Sequence, residues 1–280
     1  MRLGVIGVGN MGEALVRGVV RAGAFAADSV VVCDARAEAA TALGVALGVH
    51  VAAGIAEAAR ADTIILAVKP QQIAEVLAAL GAVVAPPQRV LSIAAGVSLA
   101  VLEGAFRVPV AVIRAMPNTP CLVGQGASAY ALGTHASPAD GAIARRILEA
   151  VGIAVEVGEA QMDAVTALSG SGPAYVFRLL EALVAGGEQV GLSGEVARVL
   201  ATQTLLGAAR LAAESGVAPV ELRRRVTSPG GTTAAALAVL EEAGWAETLG
   251  RAIEAARDRG RALGELAGGD AGGAVNERGR

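Results

Sequence analysis

A short segment late in the chain, residues 226–233, carries hydroxyl groups around a sharp turn and reads VTSPGGTT. Pro229 and the two glycines after it interrupt a helical pattern and stand directly before an alanine-rich helical run. The free N–H groups at such a helix start attract an anion, and glycines let a ligand approach the backbone. Ser228 or a nearby hydroxyl is expected to cap the helix, and Thr232 and Thr233 can add hydrogen bonds. The segment therefore predicts a carboxylate-binding helix start.

The residue types of the second half of the chain narrow the chemistry beside this helix start. A ketone reductase needs a proton donor, usually Tyr, Lys or His. Lys69 is the only lysine, and both histidines, His50 and His135, lie in the first half. Tyr175 is the one phenol of the second half, and it fits either packing or acid catalysis. A protonated imine is already cationic, so its reduction creates no alkoxide and needs positioning more than a strong acid. The sequence favours an imine substrate.

The N-terminal segment GVIGVGNMGEAL has the G-x-G-x-x-G spacing at Gly7, Gly9 and Gly12. An apolar strand pattern precedes it and an amphipathic helix pattern follows, which is the context that dinucleotide binding requires. Gly7 permits the tight turn, Gly9 lets the pyrophosphate approach the backbone, and Gly12 allows the helix to pack closely on the strand. The motif predicts a site for a nicotinamide dinucleotide.

Other candidate cofactor residues follow the ends of later strands, because ligands of an open α/β sheet bind off the carboxyl ends of its strands. Asp34 ends the second strand, where an acidic residue binds the adenosine ribose and favours NAD. Arg36 fits either a contact with a 2′-phosphate, which favours NADP, or a solvated helix start. Lys69 and Pro70, in LAVKPQQ, fit either the rim of the nicotinamide half or an ordinary surface turn.

Two further motifs combine proline with small polar residues. RAMPNTP, residues 114–120, follows a predicted strand and is either a rigid connection or a source of polar contacts from Asn118 and Thr119. SGSGP, residues 169–173, places Ser, Gly and Pro at a predicted helix start, which fits either ordinary capping or a second polar turn at the site.

The elements that position these motifs change character along the chain. Short β-branched runs alternate with helical patterns in the first half, which predicts βαβ units and a largely parallel sheet. The predicted strands are residues 2–7, 29–34, 63–68, 89–96, 110–117, 126–133 and 153–159. From residue 161 onward, apolar residues recur at three- and four-residue spacing, which predicts helices only. We expect an α/β Rossmann-type dinucleotide-binding domain over residues 1–158, an all-α domain over 159–268 and a disordered tail over 269–280.

Composition and charge limit the classes of partner that the chain is expected to bind. The chain is 54% hydrophobic, and its net charge of −3 gives no indication of a nucleic-acid or membrane-surface partner. Cys33 and Cys121 form no disulfide framework, and no Cys/His cluster predicts a metal site. Neither a signal peptide nor an apolar run of about 18 residues is visible. The expectation is a cytoplasmic protein.

Five motifs, in the order GVGNMG, AVKPQ, RAMPNTP, SGSGPAY and VTSPGGTTAAALAVLE, resemble those of the pyrroline-5-carboxylate reductase family nearly end to end. The resemblance implies that NADH or NADPH reduces the C=N bond of 1-pyrroline-5-carboxylate to give L-proline, the last step of proline biosynthesis. It also implies that the helical domain is a dimerisation domain that forms a homodimer, and that dimers can assemble further, up to a decamer.

The resemblance assigns roles to individual residues. The loop that binds the substrate carboxylate matches Ser228, Gly230, Gly231 and Thr232, and the residue that hydrogen-bonds the ring nitrogen matches Thr233, the candidate catalytic residue. The motifs and the resemblance together define a set of candidate cofactor-binding residues. They are Gly7, Gly9, Asn10, Met11, Gly12, Asp34, Arg36, Val68, Lys69, Pro70, Met116, Pro117 and Asn118.

Departures from the family pattern leave the cofactor preference open. Many members carry a hydroxyl residue near the end of the second strand and an Asn ahead of the AVKP strand, where this chain has Asp34 and Gly54. Both differences weaken the case for a dedicated 2′-phosphate pocket. Two other protein classes fit parts of the sequence. A β-hydroxyacid dehydrogenase has a similar layout but uses a lysine in its helical domain, and a non-catalytic dinucleotide-binding regulator has no reason to retain the hydroxyls of SPGGTT.

Overall fold

The computed structural model describes residues 1–276 and contains one eight-stranded sheet. The strands are β1 Leu3–Ile6, β2 Val30–Cys33, β3 His50–Val51, β4 Thr63–Leu66, β5 Arg89–Ser92, β6 Ala111–Met116, β7 Gly126–Leu132 and β8 Gly152–Glu156. Their order across the sheet is β3-β2-β1-β4-β5-β6-β7-β8. All neighbouring pairs are parallel except β6 and β7. The predicted, largely parallel sheet is confirmed, and only the two-residue β3 was too short to be predicted.

Helices connect the strands and make up the second half of the chain. They are α1 Asn10–Arg21, α2 Ala37–Leu47, α3 Ile55–Ala58, α4 Ile73–Leu80, α5 Leu99–Glu103, α6 Pro138–Glu149, α7 Met162–Val165, α8 Gly172–Gln189, α9 Gly194–Ser215, α10 Pro219–Arg225, α11 Thr232–Glu242 and α12 Trp245–Asn276. Short 3₁₀ turns lie at Ala27–Ser29, Pro70–Gln72, Thr119–Val123 and Glu159–Gln161, and a π-helical turn lies at Thr166–Gly170.

Two hydrophobic cores cover the two faces of the sheet. Successive strand residues point to opposite faces, so Leu3 and Val5 of β1 join one core, whereas Ile6 joins the other. The first core includes residues of α1, α2 and α6, and the second includes residues of α3, α4 and α5. Burying each Leu or Ile side chain contributes about 1.5–3 kcal/mol. This packing on both faces fixes the strand ends from which the candidate cofactor residues extend.

Contacts divide the chain into two units whose bounds differ from the predicted domains. Unit 1 contains Met1–Ser171 and the chain from Ala255 onward, and unit 2 contains Gly172–Glu254. The segment just after residue 158 belongs to unit 1 because Met162 is fully buried in the second core. The tail predicted to be disordered from residue 269 is helical as far as Asn276, since extending an existing helix is far easier than starting one. Residues 277–280 lie outside the described residues.

Unit 2 is entirely helical, as predicted. Helices α8 and α9 pack against each other, and Ser193 caps α9 by accepting a hydrogen bond from the Val196 N–H. The structure describes all of residues 172–254. Among the hydrophobic residues of this described range, only Ala197 is buried in the single chain. Large side chains such as Phe177 and Leu206 are exposed. One copy of this unit therefore lacks a hydrophobic core of its own.

Candidate functional site

The glycine-rich loop between β1 and α1 has the geometry of a phosphate cradle. Gly7 has a φ of +96°, and a Cβ there would lie 2.6 Å from the Ala67 carbonyl oxygen. A Cβ on Gly12 would lie 2.1 Å from the carbonyl oxygen of Gly7, so neither position accepts a side chain. Gly9 faces open space, with nothing within 4 Å of a Cβ, and no side chain caps α1 at this position. The first N–H groups of α1, which begins at Asn10, are therefore available to a ligand, and the loop fits a dinucleotide pyrophosphate.

Asn10 and Met11 occupy different environments in the first turn of α1. Asn10 is exposed, whereas Met11 is half-buried and packs against the first core. A ligand at the loop can therefore contact the Asn10 side chain, whereas Met11 anchors the first turn of α1 to the first core.

The carboxylate of Asp34 binds the glycine-rich loop directly. The Val8 N–H donates to Asp34 Oδ2 at 2.7 Å, and the Arg36 N–H donates to Oδ1 at 2.9 Å. Arg36 Nε lies 3.4 Å from the same Oδ1, although the Arg36 side chain is 68% exposed and that of Asp34 only 11%. Burial alone would raise the pKa of Asp34, but the two backbone hydrogen bonds and the Arg36 guanidinium together hold it below its ordinary value. Asp34 is therefore ionised at neutral pH at the place expected for the adenosine ribose.

Residues after β4 lie next to the glycine-rich loop. The Ala67 N–H donates to the Ile6 carbonyl at 2.8 Å, which continues the pairing of β4 with β1 beyond the strand end. Val68 is half-buried and packs against the second core, Lys69 is exposed, and Pro70 begins a 3₁₀ turn. The sheet therefore brings the KP motif to the same edge as the GVGNMG motif, as the sequence predicted.

Much of the RAMPNTP segment is buried within the protein. Met116 is half-buried, whereas Pro117 and Asn118 are buried. Asn118 Oδ1 accepts a hydrogen bond from the Ala127 N–H at 2.9 Å, and its Nδ2 donates to the Ser169 carbonyl at 3.1 Å. A cofactor contact by the Asn118 side chain stays a prediction, but these internal bonds occupy its amide. The sequence does not predict the pairing with Ser169, because the two residues lie 51 positions apart in the chain.

An ion pair between a buried arginine and a half-buried glutamate fixes the same edge of the sheet. Arg114 on β6 is buried, and its Nη1 lies 2.7 Å from Glu159 Oε1. The same oxygen accepts a hydrogen bond from the Leu99 N–H at 3.0 Å, at the start of α5. This pair ties the segment that follows β8 to the end of β6, and no local sequence signal marked it.

The SPGGTT segment forms a sharp turn before α11. Gly230 has a φ of +67°, and Gly231 is the residue before the helix start at Thr232. A Cβ on Gly231 would lie 2.4 Å from Ser228 Oγ and 3.2 Å from the Ser228 carbonyl oxygen, so a side chain there would require the Ser228 hydroxyl to rotate away. The expectation that a hydroxyl side chain caps this helix is wrong: no side chain accepts from its first N–H groups. The reason is geometric. The Gly231 N–H donates to the Ser228 carbonyl at 3.0 Å, so Ser228 lies at the beginning of the turn and not at the position that precedes the helix. The helix start is thus left open, with Thr232 exposed and Thr233 half-buried.

The candidate residues divide between the two units. All candidate cofactor residues belong to unit 1, where the sheet gathers them at the carboxyl ends of its strands, and all candidate substrate residues belong to unit 2. His50 lies 2.7 Å from Glu57 and is exposed, and His135 is also exposed. Within the described part of the chain, no group of three or more His, Cys, Asp or Glu could hold a metal ion, and no helix there could cross a membrane.

The sheet order, the glycine cradle and the helical second unit define a protein of the Rossmann-type dinucleotide-binding class with a helical second unit. Pyrroline-5-carboxylate reductase from Pseudomonas aeruginosa is 44% identical over 269 residues, which are 95% of this chain and 98% of that protein. Pyrroline-5-carboxylate reductase 2 from Homo sapiens is 40% identical over 95% of this chain and 85% of its own length. The chain belongs to the pyrroline-5-carboxylate reductase family.

Domain models and solved structures agree with this assignment. Residues 159–263 match the model described as pyrroline-5-carboxylate reductase dimerisation, and residues 2–96 match that of NADP oxidoreductase, coenzyme F420-dependent. The solved pyrroline-5-carboxylate reductase of Coxiella burnetii has a TM-score of 0.90 at 37% identity, over 94% of this chain and 98% of that chain. The Plasmodium falciparum pyrroline carboxylate reductase structure, with NADP bound, has a TM-score of 0.83 at 31% identity, with the same shares covered.

Proposed function

We propose that this chain reduces 1-pyrroline-5-carboxylate to L-proline with NADH or NADPH, the last step of proline biosynthesis. The observation that carries the proposal, beside family membership, is the uncapped start of α11 behind Gly230 and Gly231. An open helix N-terminus with two adjacent threonines suits a small anionic substrate that must be held in one orientation. The substrate of the family, a cyclic imine with a carboxylate, has this chemistry.

The substrate end binds through the backbone and hydroxyl groups. The N–H groups of the first turn of α11 and the Ser228 hydroxyl hold the carboxylate, together with Gly230, Gly231 and Thr232. Thr233 hydrogen-bonds the ring nitrogen, which becomes an amine in the product. The residues present support this division of roles, because unit 2 contains no Lys or His that could serve as a strong proton donor. A protonated imine needs none, since its reduction neutralises a charge.

The cofactor end holds the dinucleotide along the carboxyl ends of β1, β2 and β4. The nicotinamide, when bound, supplies the hydride for the C=N carbon. Gly7, Gly9 and Gly12 shape the loop for the pyrophosphate, and Asp34 faces the adenosine ribose. Lys69 and Pro70 lie beside the loop on its other side. The ionised Asp34 favours NADH, while the exposed Arg36 leaves NADPH use open.

The helical unit is proposed to form a homodimer. Support comes from the exposed apolar side chains of α8 and α9, Phe177 and Leu206 among them, which a second copy would bury. A dimerisation model also matches residues 159–263. Further assembly to a decamer and a cytoplasmic location stay predictions from the sequence.

The test is a purified-enzyme assay with 1-pyrroline-5-carboxylate, in which NADH and NADPH oxidation is followed and proline is quantified by amino-acid analysis. We expect proline to form in equimolar amount with the oxidised cofactor. A ketoacid offered in place of the imine serves as the control for the dehydrogenase alternative. Cofactor binding without proline formation would refute the proposed reaction and favour a non-catalytic dinucleotide-binding protein.

A further inference from the structure

One turn of unit 1 departs from regular helix geometry. Thr166–Gly170 is π-helical, and the Ser171 N–H donates to the Thr166 carbonyl at 2.8 Å, five residues back. Such turns are rare, and they occur frequently at functional sites because they shift the backbone and side chains of one helical turn. The turn includes the first serine of the SGSGP motif, Ser169, whose position therefore depends on what holds the π turn.

Asn118 links this turn to the start of β7 through the two ends of its amide. Its Nδ2 donates to the carbonyl oxygen of Ser169 at 3.1 Å and approaches Ser169 Oγ at 3.3 Å. Its Oδ1 accepts from the Ala127 N–H at 2.9 Å, so this backbone donor fixes the orientation of the amide. Ser169 Oγ in turn donates to the Ala127 carbonyl at 2.9 Å. These bonds form a closed network between the loop after β6, the start of β7 and the π turn.

The network lies at the edge of the sheet where the cofactor residues collect. Leu66, Ser92 and Arg114 are aligned across β4, β5 and β6, so the loop that follows Met116 emerges at the same edge as the KP motif. Met116 packs against Gly170, since a Cβ there would lie 2.5 Å from Met116 Cε. The π turn and the β6 loop therefore form one connected wall at this edge, where ligands of such sheets bind.

We propose that Asn118 is a positioning residue for the reaction: through Ser169 it fixes the π turn against the β6 loop, which forms the wall of the nicotinamide half. Asn118 is only 8% exposed, and three of its hydrogen-bonding capacities are satisfied within the protein. Its amide therefore acts on the backbone of the π turn and of the start of β7. This inference rests on the proposed reductase activity, because its effect is on turnover.

The experiment is a double-mutant cycle with Asn118→Ala, Ser169→Ala and the double variant, assayed with 1-pyrroline-5-carboxylate and NADH. We expect each single variant to lower kcat roughly ten- to hundredfold, because small misplacements of reacting groups have effects of this size. The dissociation constant for NADH should change less than about twofold. The double variant should lose little more than either single variant, since the two residues act through one network.

A matched control separates positioning from general loss of stability. Thr63→Val removes a buried hydroxyl that accepts from Arg89 at 3.0 Å, and it lies at the opposite, amino-terminal end of β4. We expect this variant to lower the melting temperature comparably but to leave kcat within about twofold. Hydrogen exchange should also show faster exchange of the Ser171 amide in Asn118→Ala than in Thr63→Val.

Three results would overturn the proposal. A higher NADH dissociation constant at unchanged kcat in Asn118→Ala would indicate direct cofactor contact. Additive losses in the double variant would show that Asn118 and Ser169 act independently. A kcat loss no greater than that of Thr63→Val would leave a structural role only. Failure of the unsubstituted enzyme to make proline would instead refute the proposed function, and the role of Asn118 with it. This outcome is distinguishable from the other three because it is seen before any residue is substituted.

Discussion

Asp34→Asn is expected to shift the cofactor preference of this enzyme toward NADPH. The variant removes one negative charge but preserves the size of the side chain, whose carboxylate is 11% exposed and ionised because its pKa is held below the ordinary value. A 2′-phosphate carries about −1.5 to −2 charge at neutral pH, so the native carboxylate repels it.

The magnitude follows from the surroundings of Asp34. Two unit charges about 5 Å apart repel by roughly 1–3 kcal/mol at effective dielectric constants of about 80 to 20, and salt reduces the effect. We therefore expect the ratio of kcat/KM for NADPH to that for NADH to rise about ten- to hundredfold. Asn can still accept one of the two backbone hydrogen bonds, from Val8 or Arg36, and leaves the other donor unsatisfied. This loosening of the loop affects both cofactors equally. The ratio therefore reports the lost charge together with the weaker acceptor for the NADH ribose, and both effects favour NADPH.

Steady-state kinetics with each cofactor, at saturating 1-pyrroline-5-carboxylate, measure this ratio. Asp62→Asn is the matched control, because Asp62 also accepts a backbone hydrogen bond, from the Arg2 N–H at 2.6 Å, but lies at the amino-terminal end of β4. It makes the same change in net charge and should leave the ratio unchanged. Arg36→Ala in the Asp34→Asn background should reduce the gain if the freed guanidinium binds the phosphate. A ratio within about twofold of the native value in Asp34→Asn would refute the electrostatic reasoning.

Three further outcomes follow from the site and the fold. Thr233→Ala should lower kcat about ten- to hundredfold in steady-state assays, because hydrogen bonds to charged groups contribute about 1.5–3 kcal/mol. The KM for the cofactor should stay nearly unchanged. An unaltered kcat would exclude Thr233 from the reaction. Burial, with a contribution from Asp34, raises the pKa of Cys33 to about 11, and burial also raises the pKa of Cys121. Both thiols should therefore resist an aromatic disulfide reagent around pH 8 until denaturant is added. Rapid labelling of the native protein would contradict this prediction. Burial alone would raise the pKa of Asp140, but hydrogen bonds from Ser137 and Arg89 hold it below its ordinary value. The contribution of ionised Asp140 to the stability of the fold is therefore complete above about pH 3.9, and it is lost as the pH falls through the lower pKa of the folded state. Asp140→Asn should therefore lower stability by about 2 kcal/mol at neutral pH and flatten the acid loss seen in thermal unfolding, whereas an unchanged acid profile would count against the ion pair.

Local signals explain why most of the fold was predictable from the sequence. The β-branched runs mark strands that are buried on both faces, and the spacing of Gly7, Gly9 and Gly12 follows from contacts within one βα turn. The open turn before α11 is similarly local, because its backbone depends on the positive φ of Gly230. Where a feature depends on residues close together in the chain, the pattern and the geometry agree.

Features that depend on distant residues were not predictable. Asn118 and Ser169 are far apart in sequence, and their hydrogen bonds exist only because β6, β7 and the π turn meet at one edge of the sheet. The ion pair between Arg114 and Glu159 has the same origin. The expected cap of α11 failed for a different reason, because Ser228 has a suitable side chain but the two-glycine turn places it before the helix start. Residue type indicates a capacity, and tertiary structure decides how it is used.

Asp34 after β2 and Asn118 after β6, two of the residues that the sequence marked as cofactor contacts, share one property. Asp34 binds the backbone of the glycine-rich loop through Val8, and Asn118 binds the backbone of the π turn at Ser169. Each polar side chain therefore holds a loop in place before any ligand arrives, which lowers the reorganisation required when the reaction begins. A substitution at either position changes this support together with any direct contact. For this reason a near-isosteric change, as in Asp34→Asn, and a cycle with the bonded partner, as with Ser169, can separate the two effects, whereas truncation alone cannot.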